Sequence, residues 1–276
     1  MKPVAALLLV FSILFYPGVS YAQEFNFERA YNDYIFTMDV YEKARSRYIL
    51  ERARYFQSRT LTSETDAIDA TADFIQARND AIVVYLRAIR VKVDEVEEFD
   101  AQTRARLQTR LDDEIKWHLD YKSRIRSAGT LEELTDDNKE AMERYFGFTE
   151  PLAFEFHTSL AADRIDPIRE EFSALLNRAK AKADRIREAG DHSTANIERW
   201  IIDTDEKFLR SIEKDRDAED LLSSIQASIG GRQARGSRQL QTMHNQAVIA
   251  AQESLQFLKE TGDFMREIVH AMRERV

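Results

Sequence analysis

The sequence predicts an all-α fold, an elongated antiparallel helical bundle with long coiled-coil-like hairpins. Three observations carry that expectation. Apolar residues recur at helical and heptad spacing along nearly the whole chain. Beyond residue 22 only seven glycines and two prolines remain of the eight and four in the 276-residue sequence, against a usual combined content of roughly 12%, so there are few places to turn sharply. No segment shows the two-residue alternation with β-branched enrichment that calls for a sheet.

The first element pair spans residues 25–98. Phe27, Tyr34, Tyr41, Tyr48 and Tyr55 fall seven apart, as do Ile68, Ile75, Ile82, Ile89 and Val96. A period of 3.5 keeps one seam turned toward one partner helix over a long distance. Thr60-Leu61-Thr62-Ser63 supplies the turn, with Ser63 or Thr62 as the expected cap of the second helix and Glu64 and Asp66 near its positive end. Folded back around Leu61, the hairpin is expected to set Tyr55 on Ile68, Tyr48 on Ile75, Tyr41 on Ile82, Tyr34 on Ile89 and Phe27 on Val96. Asn79 on the isoleucine stripe is either a register-setting polar group or an edge position.

A third helix is expected over residues 100–128, buried along Leu107, Leu111, Ile115, Leu119 and Ile125 and ended by Gly129. Thr130 and Glu133 then form a capping box for the pattern Leu134, Asn138, Ala141, Tyr145, Phe148 and Leu152. Gly147 and Pro151 should kink or interrupt it. Asp166-Pro167 starts a helix marked by Ile168, Phe172, Leu175, Ala179, Ala183 and Ile186 and closed by Gly190. Two long helices, about Ser193 to Ile229 and about Ser237 to Arg275, carry matching apolar stripes and are expected to pair as a hairpin over residues 193–275.

In organisation, residues 1–22 read as a signal peptide and 23–276 as one helical domain with a weak candidate boundary at 147–151. Lys2 precedes the apolar run Val4 to Tyr16, then Pro17-Gly18 and the small residues Ser20 and Ala22 at the places a signal peptidase reads. The rival is an uncleaved anchor, because residues 4–22 carry no charge and a bilayer span needs roughly 20 residues. Forty basic residues against 49 acidic ones, interleaved almost everywhere, make nucleic acid an unexpected partner. With no cysteine, disulfides, thiolate metal sites and thiol nucleophiles are excluded.

Several constellations come near a known chemistry and fall short of it. Gly231 to Gly236 has the glycine spacing of a phosphate loop, but Ser237-Arg238 stands where Lys-Ser or Lys-Thr is needed; it reads as a basic interhelical turn. Glu267 and His270 share a helix face as in di-iron carboxylate bundles, yet the nearest second pair, Glu114 and His118, is spaced four apart. His118 repeats with Leu111 and Ile125 and is expected as a hydrogen-bonded core histidine. His157 and His192 have no serine or acid placed to form a triad. In Glu213 to Asp220, Asp220 and Gln226 stand where a calcium loop needs its glycine and its final acid. That run is expected to be a solvated, weakened stretch of helix. No catalytic residue, metal ligand or cofactor is therefore assigned.

The strings Ala30-Tyr31-Asn32-Asp33-Tyr34, Arg52-Ala53-Arg54-Tyr55, Thr60-Leu61-Thr62-Ser63 and Gln76-Ala77-Arg78-Asn79 resemble a group of uncharacterised exported helical proteins from bacteria with reduced genomes, over residues 25–130. The resemblance implies export and the first hairpin, and no activity. Two function classes remain expected. The first is an exported non-enzymatic structural or protein-interaction protein of the cell envelope or exterior; the alternative is an extracytoplasmic helical ligand-binding or sensing module. A protein partner is expected for the first, self-association through the aromatic seam is open, and a membrane is a partner only if the N-terminal segment stays uncleaved. A helical pore-forming toxin lacks a membrane-entering segment beyond residue 22, where the longest apolar run is Ala81 to Leu86, and a periplasmic adaptor lacks strands. A filled seam would favour the interaction protein; an enclosed pocket lined by polar groups would favour the binding module.

Overall fold

The computed structural model describes residues 26–125, 129–163, 165–189, 195–229 and 236–273. The expected signal segment, His192 and most of the Gly231–Gly236 turn lie outside the described residues. Among those described, eight α-helices and one π-helical segment account for the regular structure, with no strand. They are α1 (Phe27–Ser58), α2 (Leu61–Glu95), α3 (Ala101–Ile125), α4 (Leu131–Arg144), the π segment Tyr145–Thr149, α5 (Glu150–Asp163), α6 (Asp166–Ala189), α7 (Ala195–Gln226) and α8 (Ser237–Arg273). The all-α helical bundle is the observed fold, and its longest pairings are the hairpins α1–α2 and α7–α8.

Capping residues fix the turns. Asn26 accepts from the Arg29 amide at 3.1 Å to start α1, and Arg59 ends it in the left-handed region at φ 48°. The cap of α2 is Thr60, earlier than the expected Thr62 or Ser63: Thr60 Oγ1 accepts from the Ser63 amide, and Ser63 Oγ reaches back to the Thr60 amide at 3.0 Å. Asp100 caps α3 through the amides of Gln102 and Thr103. Thr130 caps α4 as expected, while Glu133 reaches one residue further back, to the Gly129 amide at 2.7 Å.

The first hairpin pairs differently from the expected register. Tyr41 and Tyr48 both stack on Phe74, with centroids 5.7 and 4.9 Å away, and Tyr34 meets Tyr85 at 5.2 Å. Phe27 packs with Ala30 and Ala88, its amide donating to Glu95 Oε1. The isoleucine column is divided: Ile75 is buried with Tyr121, Ile125, Leu134 and Ala141, while Ile89 and Val96 join Leu107, Leu111, Leu152 and Phe156 in a cluster that also holds Tyr34. The physical reason is that α2 is shared. Its most apolar column goes to the side where α3, α4 and α5 bury it, and the smaller column Ala67–Phe74–Ala81–Ala88 accommodates the rings of α1. On α3, Leu119 points outward at 43% exposure, and His118 and Tyr121 take the inward positions instead. Ile168 on α6 is likewise exposed.

The second hairpin meets along a column of small side chains. Ile197, Thr204, Ser211, Ala218 and Ile225 of α7 recur every seven residues, all at 0% exposure, opposite Ile268, Thr261, Ser254, Ala247 and Leu240 of α8. Ser211 and Ser254 share a hydrogen bond of 3.0 Å, and Ser254 Oγ also donates to the Ser211 carbonyl at 2.9 Å, which pins this register. The charged run Glu213 to Asp220 is unbroken helix, in which Asp215 turns inward to an ion pair with Arg169 and Ala218 belongs to the buried column.

Gly147 and Pro151 do not break the chain. Five residues in π conformation carry α4 into α5 without a loop, the widened turn absorbing what the sequence suggested as a kink. From Thr149 to Leu160 every residue is buried. A helix covered on all sides sits at the centre of a bundle, and α5 packs on α2 and α3 as well as on α6, α7 and α8.

Candidate functional site

Where α1 to α5 converge the side chains leave a cavity of about 120 Å³. Tyr34, Met38 and Tyr41 come from α1, Arg78, Asn79, Ala81, Ile82 and Tyr85 from α2, and His118 and Tyr121 from α3. Ala141 and Met142 of α4, Tyr145, Phe146 and Thr149 of the π segment, and Glu150 and Ala153 of α5 close it. Small Ala81 lies opposite rings of α1, and the wider π turn brings three of its five residues to the wall. The upper part of the tyrosine column thus borders a mostly apolar space with a few polar groups at its edge, where a filled seam was expected.

One wall is a closed hydrogen-bond network. Asn79 Nδ2 donates to the His118 carbonyl at 2.9 Å, and Asn79 Oδ1 accepts from His118 Nδ1 at 2.7 Å. His118 Nε2 lies 3.1 Å from Thr149 Oγ1 and 3.4 Å from Glu114 Oε1, and the Thr149 hydroxyl is 2.6 Å from the same carboxylate oxygen. Arg144 donates twice to Glu114 Oε2, at 2.9 and 2.5 Å, and its guanidinium covers the rings of Trp117 and Phe148. Burial pushes the Glu114 carboxyl up, but hydrogen bonds from His118, Arg144 and Thr149 outweigh it and hold the group below the usual range. Fully satisfied networks of this kind are rigid. Asn79 is thus buried rather than at an edge, and its partner is His118 on α3.

The opposite side is less complete. Arg78 donates to Asn138 Oδ1 at 2.7 Å and to Met142 Sδ at 3.3 Å and lies over Phe74, yet among the described residues no carboxylate pairs with it. Burial lowers its pKa, against the pull of the phenols of Tyr121, Tyr41 and Tyr145. Glu150 is 3% exposed; Ser237 reaches its carboxyl, but Oε2 is buried without a hydrogen-bond partner, and burial raises its pKa. Tyr145 feels both charges and its hydroxyl is pushed above the usual phenol range, chiefly by burial. Tyr34 is pushed up to about 12 by burial and by Tyr31.

Behind Tyr85, away from the cavity, lies a buried polar cluster. Tyr85 Oη lies 2.8 Å from His157 Nε2, the His157 and His244 rings are 6.1 Å apart, and His244 Nδ1 lies 3.1 Å from Thr158 Oγ1. Burial, and for His157 also His244, lowers these imidazoles to about 3 and about 4.

Of the residues the sequence singled out, Glu114, His118 and Asn79 come together here and His157 adjoins them through Tyr85. Glu267 and His270 sit on the exposed side of α8, away from the cavity. Among the described residues no group of three His, Asp or Glu is placed to hold a metal ion, and no helix is long and apolar enough to cross a membrane. Sequence reasoning passed over Arg78, Tyr145, Thr149 and Glu150, which lie on three different elements. An apolar floor with a guanidinium, a protonatable carboxyl and phenol hydroxyls around it has the make-up of a recognition site.

Fold and site together define a helical bundle with a largely apolar, partly open cavity edged by a few polar groups. Compared with protein-family models, curated proteins and solved structures, the chain has no match.

Proposed function

We propose that this protein is a helical binding or sensing module that holds a small carboxylate-bearing molecule in the cavity between α1 and α5. The observation that carries the reading is Arg78, a guanidinium on the cavity wall with no carboxylate among its described partners. Arg78 is half-buried; a cation partly withdrawn from water without a counter-ion is less stable than a paired one, and a ligand carboxylate supplies the pair with a bidentate contact. Glu150, whose Oε2 is buried without a hydrogen-bond partner, is placed to meet a second polar group of the ligand. A cavity of about 120 Å³ suits about six to eight non-hydrogen atoms, on the scale of cavities that take up benzene. The Lys2 to Ala22 segment supports action outside the cytoplasm.

The test is thermal unfolding with a panel of small carboxylic acids and the matching alcohols or amides. Acids that fit should raise Tm in a concentration-dependent way, and Arg78→Met should abolish the shift while leaving stability equal or higher. Equal shifts from acids and neutral analogues, or none, would overturn the reading. The rival, an interaction protein of the envelope or exterior, is favoured by a separate feature, the uncovered apolar face of α1.

A further inference from the structure

Helix α1 packs chiefly on α2, and the side it turns away is not polar. Ile35, Phe36, Ile49, Leu50 and Phe56 are 39, 71, 52, 50 and 55% exposed. At about 100° per residue Ile35, Phe36 and Leu50 lie on the face opposite Tyr34, Tyr41 and Tyr48, Ile49 at its flank, and Phe56 nearer the tyrosine side. We infer that this face is a homodimer interface, on which a second copy of the chain lays its own α1 antiparallel, centred between Glu42 and Lys43.

Charge complementarity argues for that occupant and that direction. In residues 27–42 four acidic side chains stand against one basic, and in 43–58 five basic stand against one acidic. On the outward face Glu28, Asp39 and Glu42 occupy the first half and Lys43 and Arg54 the second, with Arg29 the exception at the first turn. A parallel copy would set like against like. An antiparallel copy related by a two-fold axis sets each half on its opposite. About the point between Glu42 and Lys43, which is also the midpoint of α1, Glu42 faces the second copy's Lys43, Asp39 faces Ser46 beside Arg47, Ile35 faces Leu50 and Phe36 faces Ile49. One axis thus sets apolar on apolar and opposite charge near opposite charge, with Glu42, Arg47 and Arg54 also meeting Arg45, Asp73 and Glu51 of their own chain. A helix of 32 residues is about 48 Å long, and a strip of contact along it covers roughly 1,000 Å² in total, the lower edge of specific interfaces. Micromolar association is the expected strength. The inference does not depend on the cavity, which opens on the other side of α1.

Sedimentation equilibrium of the purified protein tests it. The wild type should pass from monomer to dimer across micromolar concentrations. Glu42→Lys and Lys43→Glu, both at exposed positions, should each weaken self-association about tenfold by bringing like charges together at the axis. Mixed one to one, they should form a heterodimer at least as tight as the wild-type pair, a rescue that loss of folding cannot produce. Because the chain has no cysteine, single substitutions report direction. Glu42→Cys should form a disulfide-linked dimer, and Arg29→Cys, whose two copies would lie about 40 Å apart, should not. A wild type that stays monomeric at every concentration, variants that dimerise like it, a mixture that fails to pair, or cross-linking at both cysteines alike would overturn the inference.

Discussion

Arg144 meets Glu114 with two hydrogen bonds in a site where the carboxylate is 2% exposed, and Thr149 and His118 take up its other oxygen. Removing one partner of a buried pair strands the other. Glu114→Gln should therefore cost about 3 kcal/mol of unfolding free energy, measured by urea titration at pH 7.5. The two inner histidines give the protein an acid-sensitive stability. Their folded values, about 3 for His157 and about 4 for His244, lie below the ordinary 6.5. Below pH 6.5 the unfolded chain takes up protons that the folded chain refuses, so stability is complete above that pH and falls as pH drops toward 4. At pH 5 the loss should be roughly 2 kcal/mol for each histidine. His244→Phe should remove about half of the difference between denaturant curves at pH 7.5 and pH 5.

Among the elements, the α7–α8 hairpin depends on smallness. Serine, threonine and alanine at the centre of the column bring the two helices close, and the isoleucines and leucine fill its ends. Ser254→Ala removes both hydrogen bonds to Ser211 and should cost about 1 kcal/mol. Ser254→Leu forces the helices apart and should cost about 3 kcal/mol or more, with Ser211→Ala in the same chain recovering little. This column is open to view in the sequence, as two heptad series, and is easily passed over because large apolar side chains are the usual marks of a seam. In the first hairpin the columns are visible and their partners are not. A helix such as α2, buried on more than one side, has several faces, and period alone does not say which neighbour each face meets. Asn79 and His118 do carry a local signal, polar residues on apolar stripes, and both line the cavity. Arg78 and Glu150 give none, since each reads as one more charge on a charged helix.

For the molecule as a whole, α5 is the shared centre. Phe156 is buried with Leu107, Leu111 and Ile89 on one side, and Phe154 with Ile225, Leu240 and Met243 on the other. A helix buried by both groups couples their unfolding. The chain has two tryptophans, Trp117 stacked on Tyr121 beside the cavity and Trp200 packed against the α6–α8 core. Single-tryptophan variants should give coincident urea transitions, and Phe156→Ala should shift both midpoints equally although only Trp117 lies on its side.

The π-helical stretch between α4 and α5 holds one residue more than an α-helix would fit in the same rise. Deleting Gly147, whose missing side chain faces open space, would regularise the rod locally. Because the surplus residue adds almost no net turn, α5 would keep its phase, with Thr149 near His118 and Glu155 still clasped by Arg106 and Arg110, and only the π residues before it, Tyr145 and Phe146 at the cavity wall, would be displaced. Shortening the chain by that single position should thus leave the thermal unfolding midpoint close to that of the wild type, whereas deleting a residue inside α5 itself should not.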